Sequence, residues 1–146
     1  MILDRIESPQ GLLKLRQRVL SQGGFSFYSC ADPDLFYMVV VRQQKVIGLL
    51  AYQEQSTEDP DYMGFVFCEV HPSHRREGVA TKLVEEFMTL ACARDVPVTI
   101  TPYEDDGVLG LQPLIKAYGL KHGVYVKENG TIHDFTAQYN EWDCAP

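Results

Sequence analysis

The chain has 146 residues, of which 45% are apolar and 23% charged, with 11 Gly and 8 Pro. That length suits a single domain spanning residues 1–146 with its own core, and the composition excludes a disordered or collagen-like chain. Lys and Arg number 13 against 20 Asp and Glu, a formal charge of −7, so the summed field repels polyanions and argues against nucleic acid as a partner.

The longest apolar stretch, Leu35 to Val41, is far below the roughly 18 residues that cross a bilayer. Met1 to Glu7 carries acidic residues and no signal-like apolar region, so a cytoplasmic protein without a membrane partner is expected. The cysteines Cys30, Cys68, Cys92 and Cys144 are scattered and form no CxxC pair, which argues against a metal site. Cys68 and Cys92 have apolar neighbours and read as small core hydrophobes.

In chain order, Pro9 sits where a first helical turn accepts it, and Leu12, Leu15 and Val19 repeat at helical spacing before Gly23-Gly24, predicting a helix from Pro9 to Gln22. Leu35 to Arg42 and Lys45 to Tyr52 are β-branched and aromatic runs separated by Gln43-Gln44, an antiparallel hairpin. A polar, acidic loop from Gln53 to Asp61 leads into a buried run, Tyr62 to His71, the candidate central strand. From Val79 the residues Leu83, Val84, Phe87, Leu90 and Ala91 mark one helix face, with Lys82, Glu85 and Glu86 toward water. A strand at Val96 to Thr101 and a helix from Val108 to Tyr118 closed by Gly119 follow. Last comes a hairpin pairing Gly123–Lys127 with Thr131–Tyr139 around Glu128-Asn129-Gly130. The order implies one mixed sheet flanked by helices, an α/β (α+β) fold.

The segment Glu69-Val70-His71-Pro72-Ser73-His74-Arg75-Arg76-Glu77-Gly78-Val79-Ala80-Thr81 joins a strand to a helix through a short basic loop. A helix start presents unpaired N–H groups and the positive end of its dipole, which suits a phosphate. Gly78 lets the backbone approach closely, Arg75 and Arg76 add charge-assisted bonds, and Ala80 leaves room at the turn.

Arg75-Arg76-Glu77-Gly78-Val79-Ala80 resembles the acyl-CoA signature [QR]-x-x-G-x-[GA] of the GNAT N-acetyltransferase superfamily. Val70-His71-Pro72 stands where such proteins end the central strand in Val-x-Pro, and Leu114-Ile115-Lys116-Ala117-Tyr118-Gly119-Leu120 is similar to the family's Phe-Tyr-x-x-Tyr-Gly-Phe segment. The resemblance covers about Leu35 to Tyr139. It implies a mostly antiparallel sheet with a splayed central strand, and acetyl-CoA as co-substrate with no metal. By the same resemblance the pyrophosphate lies on the amides of Arg76 to Thr81, and the pantetheine runs along Cys68, Glu69, Val70 and His71, where a backbone N–H polarises the thioester carbonyl.

The family's chemistry is direct attack of an amine on the thioester in a ternary complex, which calls for a base and for a proton donor to the leaving thiolate. The family's tyrosine falls on Ile115 and its strand carboxylate on Gly64. Tyr118 and Tyr103 are the replacement acids to test, against a reading of each as a core or rim aromatic. Glu69 and Glu104 are the replacement bases, Glu69 alternatively pairing with Arg75 or Arg76. His71 is a further candidate base, or only a lining of the loop.

Between Lys45 and Arg75 lie Glu54, Glu58, Asp59, Asp61 and Glu69 with no cation, and between Arg94 and Lys116 lie Asp95, Glu104, Asp105 and Asp106. In the resembling fold these loops border the acceptor, which favours a cationic one: a small-molecule amine, or the lysine or N-terminal amine of a protein. A solvated surface is the plainer account. The competing function is a GNAT-like module that binds CoA or a protein without turnover. The tail from Glu141, with the sole Trp142, is free, packed on the sheet or part of a homodimer contact.

Overall fold

The structure, a computed structural model, describes residues 2–25, 34–55, 62–100 and 106–128. The elements are β1 (Ile2–Ile6), α1 (Pro9–Gln22), β2 (Phe36–Arg42), β3 (Lys45–Gln55), β4 (Tyr62–Val70), α2 (Val79–Arg94), β5 (Val98–Ile100), α3 (Asp106–His122) and β6 (Val126–Glu128), with a 3-10 turn at Pro72–His74. Strand order follows chain order. The sheet is mixed and the class α/β, as expected. Two compact units, Met1–Gln53 with Phe67–Leu83 and Glu54–Val66 with Val84–Pro146, divide the chain, and β4 and α2 run through both.

In the first unit β1, β2 and β3 are antiparallel. The β2–β3 turn is Gln43-Gln44 with φ of 50° and 65°, two consecutive left-handed residues of the kind that match the twist of a two-residue hairpin. Pairing runs from Arg42↔Lys45 to Phe36↔Tyr52 but skips Ile47, since Val41 faces Val46 while Val40 faces Gly48. This is a β-bulge, which bends the strand locally. Tyr37, Val40, Leu49, Leu50 and Ala51 are fully buried. Gly48 is required by packing: a Cβ there would lie 2.4 Å from Val79 Cγ1 and 3.2 Å from Leu83 Cδ1.

Helix α1 has the predicted bounds, and Leu12, Leu15 and Val19 form its buried stripe. Its last turns are tied to the hairpin. Arg18 Nη2 donates to the Gln44 carbonyl at 2.6 Å, and the Gln22 amide donates to the Val46 carbonyl at 2.5 Å and accepts from Val46 N–H at 2.9 Å. Strand β1 is an element for which the sequence analysis made no prediction. Its five residues carry Asp4 and Arg5 in the middle, so no continuous apolar run marks it, and only β2 supplies its partner.

In the second unit β4, β5 and β6 are parallel, with Met63↔Val98, Phe65↔Ile100 and Val98↔Val126 in register. Phe65 meets Phe87 of α2 edge to face at a centroid separation of 6.0 Å. Helix α3 runs past Gly119 to His122 and stops at Gly123, whose φ is +68°. Pro113 lies inside it. The predicted return strand Thr131–Tyr139 and the Trp142 tail lie outside the described residues.

Two expectations about α2 change. Met88 joins the buried face at 0% exposure. Cys92 is exposed rather than a core residue, because at about 100° per residue it falls beyond the arc set by Leu83, Val84, Phe87, Met88 and Ala91.

Candidate functional site

Strand β4 changes character along its length: Met63, Gly64 and Phe65 are buried, whereas Phe67, Cys68, Glu69 and Val70 are half-buried. The strand ends at Val70, and the next residue, His71, donates its N–H to the carbonyl of the bulged Ile47 at 2.8 Å. Burial, with the Glu69 carboxylate adding, pushes the Cys68 thiol up to about 12. The thiol is therefore held in its protonated form at neutral pH.

From Pro72 the chain makes one 3-10 turn capped by the His71 ring, whose Nδ1 accepts from Ser73 N–H at 3.1 Å. Arg75 is extended, Arg76 is left-handed at φ +65°, and Gly78 has φ +80°. These reversals aim the chain into α2. The first helical bond runs from Lys82 N–H to the Gly78 carbonyl at 3.0 Å. The amides of Val79, Ala80 and Thr81 thus precede any i→i−4 partner, and a glycine cap offers them no side-chain oxygen.

The surroundings suit an anion. No acidic residue occupies the first turn of α2. A Cβ on Gly78 would meet nothing within 4 Å, so the space above the loop is open. The one carboxylate in the loop is turned elsewhere: Glu77 Oε2 lies 2.7 Å from His74 Nδ1 and Oε1 lies 3.5 Å from Arg42 Nη1. Arg75 and Arg76 are exposed and make no ion pair among the described residues. Three open amides, a glycine and two available guanidinium groups are the donor set that a pyrophosphate takes.

Of the residues singled out by sequence, Cys68, Glu69, Val70, His71, Arg75, Arg76, Glu77, Gly78, Val79, Ala80 and Thr81 all fall within the first unit, at the end of β4, in the loop and at the start of α2. Tyr103 and Glu104 lie outside the described residues. Tyr118 belongs to the second unit, where its ring stacks on His122 at 6.3 Å and carries Lys121 Nζ at 5.2 Å from its centroid. Ile115 is fully buried. Of the acidic residues between Lys45 and Arg75, Glu54 is paired with Arg94, which removes it as a free attraction for a cationic acceptor. Arg42 and Gln22 had no motif to announce them, since they act on this loop and on the bulge only through pairings between distant parts of the chain.

Residues 7–105 match the model of the Acetyltransferase (GNAT) family. The chain belongs to that family. Solved structures agree on the fold. An aminoglycoside acetyltransferase from an uncultured soil metagenomic sample shares 16% identity with a TM-score of 0.58, over 79% of this chain and 86% of the other. A ribosomal-protein-alanine N-acetyltransferase from Brucella melitensis biovar Abortus shares 12% identity at a TM-score of 0.59, over 78% and 91%. The aminoglycoside N-acetyltransferase AAC(6')-Iy, solved in complex with CoA, shares 12% identity at a TM-score of 0.52, over 77% and 89%. No curated protein matches the sequence. Among the described residues no helix is long and apolar enough to cross a membrane.

Proposed function

We propose that the chain transfers the acetyl group of acetyl-CoA to a primary amine of a cationic acceptor, a small molecule or a protein lysine or N-terminus. The observation that carries this reading is the uncapped start of α2, open amides beneath a glycine with open space above it. The amides of Val79, Ala80 and Thr81 hold the pyrophosphate, and Arg75 and Arg76 close over it. Cys68 and Val70 offer main-chain groups to the pantetheine arm, one N–H polarising the thioester carbonyl, whereas the His71 N–H is taken by the Ile47 carbonyl and its own carbonyl by His74 N–H.

The acetyl carbon leaves sulfur for nitrogen: a C–N bond forms, the C–S bond breaks, and the ammonium proton and thiolate must be managed by the protein. Glu69 is the base to test, and Tyr103 and Tyr118 the acids. The second reading, a module that binds CoA without turnover, draws on Ile115, which stands buried and proton-free where the family has its tyrosine.

The test pairs acetyl-CoA binding by calorimetry with thiol release across an amine panel that includes an aminoglycoside and a peptide N-terminus. Thiol release with one amine class establishes the enzyme and its acceptor; binding without release moves the assignment to the module. In the enzyme, Glu69→Gln or Tyr103→Phe lowers kcat on the order of a hundredfold with CoA affinity unchanged.

A further inference from the structure

His71 is engaged through its backbone and its ring. Its N–H is held by the bulged Ile47 carbonyl, at 2.8 Å. Its Nδ1 accepts from Ser73 N–H, at 3.1 Å. Phe25 and His74 meet its ring edge to face at centroid separations of 5.8 and 5.9 Å. The far side of the ring is closed by the chain leaving α1: a Cβ on Gly24 would lie 2.1 Å from His71 Nε2. Gly24 therefore has a second reason to be glycine besides its φ of +90°. The stretch that presses on the ring is itself anchored, because Gln22 clamps Val46, the neighbour of the bulged Ile47.

A neutral imidazole that accepts at Nδ1 carries its proton on Nε2. The bond from residue 71 to the N–H of residue 73 has the pattern of an Asx-turn, in which a side-chain acceptor closes a turn two residues on. His71 thus supplies what an Asn would supply, with a larger ring for Gly24 and Phe25 to grip.

We propose that His71 is a positioning residue: pinned between the end of α1 and the 3-10 turn, its ring holds the Pro72–Gly78 loop in the conformation that leaves the α2 amides open. This rests on the acyl-CoA reading of that loop. It assigns the ring no proton transfer.

The decisive comparison is His71→Ala against His71→Asn, with Arg75→Ala as the control for the phosphate site, each checked by thermal melting. Two readouts are taken: hydrogen exchange at the Ser73 amide without ligand, and the Kd and KM for acetyl-CoA alongside kcat. Expected for His71→Ala are faster Ser73 exchange and Kd and KM raised about five- to tenfold, with kcat changed less. Expected for His71→Asn, whose Oδ1 restores the acceptor, are values within about twofold of the parent. Gly24→Ala should shift Kd in the same direction as His71→Ala. A general base would instead show loss of kcat in both His71 variants, since Asn takes up no proton at neutral pH, and that result overturns the proposal. So does a His71→Ala protein that keeps Ser73 protection and CoA affinity. If the parent protein binds no CoA, or Arg75→Ala leaves binding intact, the site reading fails, and Ser73 exchange still decides whether His71 holds the loop.

Discussion

Helices α1 and α2 begin in opposite ways. At α1, Ser8 adopts an extended cap, its carbonyl accepts from Leu12 N–H at 2.9 Å, its hydroxyl accepts from Gly11 N–H at 3.0 Å, and Pro9 brings no N–H that needs a partner. At α2 the cap is Gly78, without a side chain to accept from the first-turn amides, and the first helical bond is Lys82 N–H to the Gly78 carbonyl. A helix start that serves only the fold is satisfied from within the chain. The α2 start lacks such a cap, at an ordinary cost of about 1 kcal/mol, and under the proposed acyl-CoA reading an outside anion makes up for it.

Filling the open end should have the largest effect. Gly78→Glu places a carboxylate into the space above the amides and forces a side chain onto φ +80°; acetyl-CoA affinity should fall on the order of a hundredfold, read by calorimetry. Removing a cation beside the same end is milder: Arg75→Ala should weaken acetyl-CoA about tenfold and steepen no salt dependence, read as Kd against ionic strength. At the self-satisfied end the effect moves from binding to stability. Ser8→Ala should cost about 1 kcal/mol in urea unfolding and leave acetyl-CoA affinity unchanged.

A last effect, confined to alkaline pH, concerns the strand that leads to the loop. The folded-state Cys68 thiol stands at about 12 against an ordinary 9.0. Above about pH 9 the unfolded chain releases this proton while the folded chain keeps it. The group's contribution to stability is therefore complete below that pH and is lost as pH rises through 12. Urea midpoints should decline more between about pH 8 and 10.5 for the parent than for Cys68→Ala. Peptide mapping after limited alkylation should find exposed Cys92 modified before Cys68.

Much of the fold was legible because its signals are local. Pro9, the Leu12-Leu15-Val19 stripe and Gly23 define α1 without reference to anything distant. Gln43-Gln44 between two β-branched runs announces the hairpin. The loop was legible as well, since a strand, a basic glycine-bearing turn and an amphipathic helix are consecutive in the chain. Strand β1 was not, because a five-residue strand with charges at its centre is defined only by Ile2↔Val41 and the pairs that follow. Cys92 was misplaced because its neighbours are apolar, while its exposure depends on where the buried arc of α2 ends.

By itself, then, the amino-acid sequence determined which segments are helix and strand in the central part of the chain, where the basic, glycine-bearing turn falls, and to which family the pattern points. Periodicity, turn residues and caps act over a few residues, so they can be read in order. Only the tertiary structure decided what holds that turn. The bulge at Ile47 that receives His71 N–H, the Gly24 backbone against its ring, and the pull of Arg42 and His74 on Glu77 join residues that are adjacent only after folding. Contacts of that kind follow from register and packing, which no stretch of sequence carries alone.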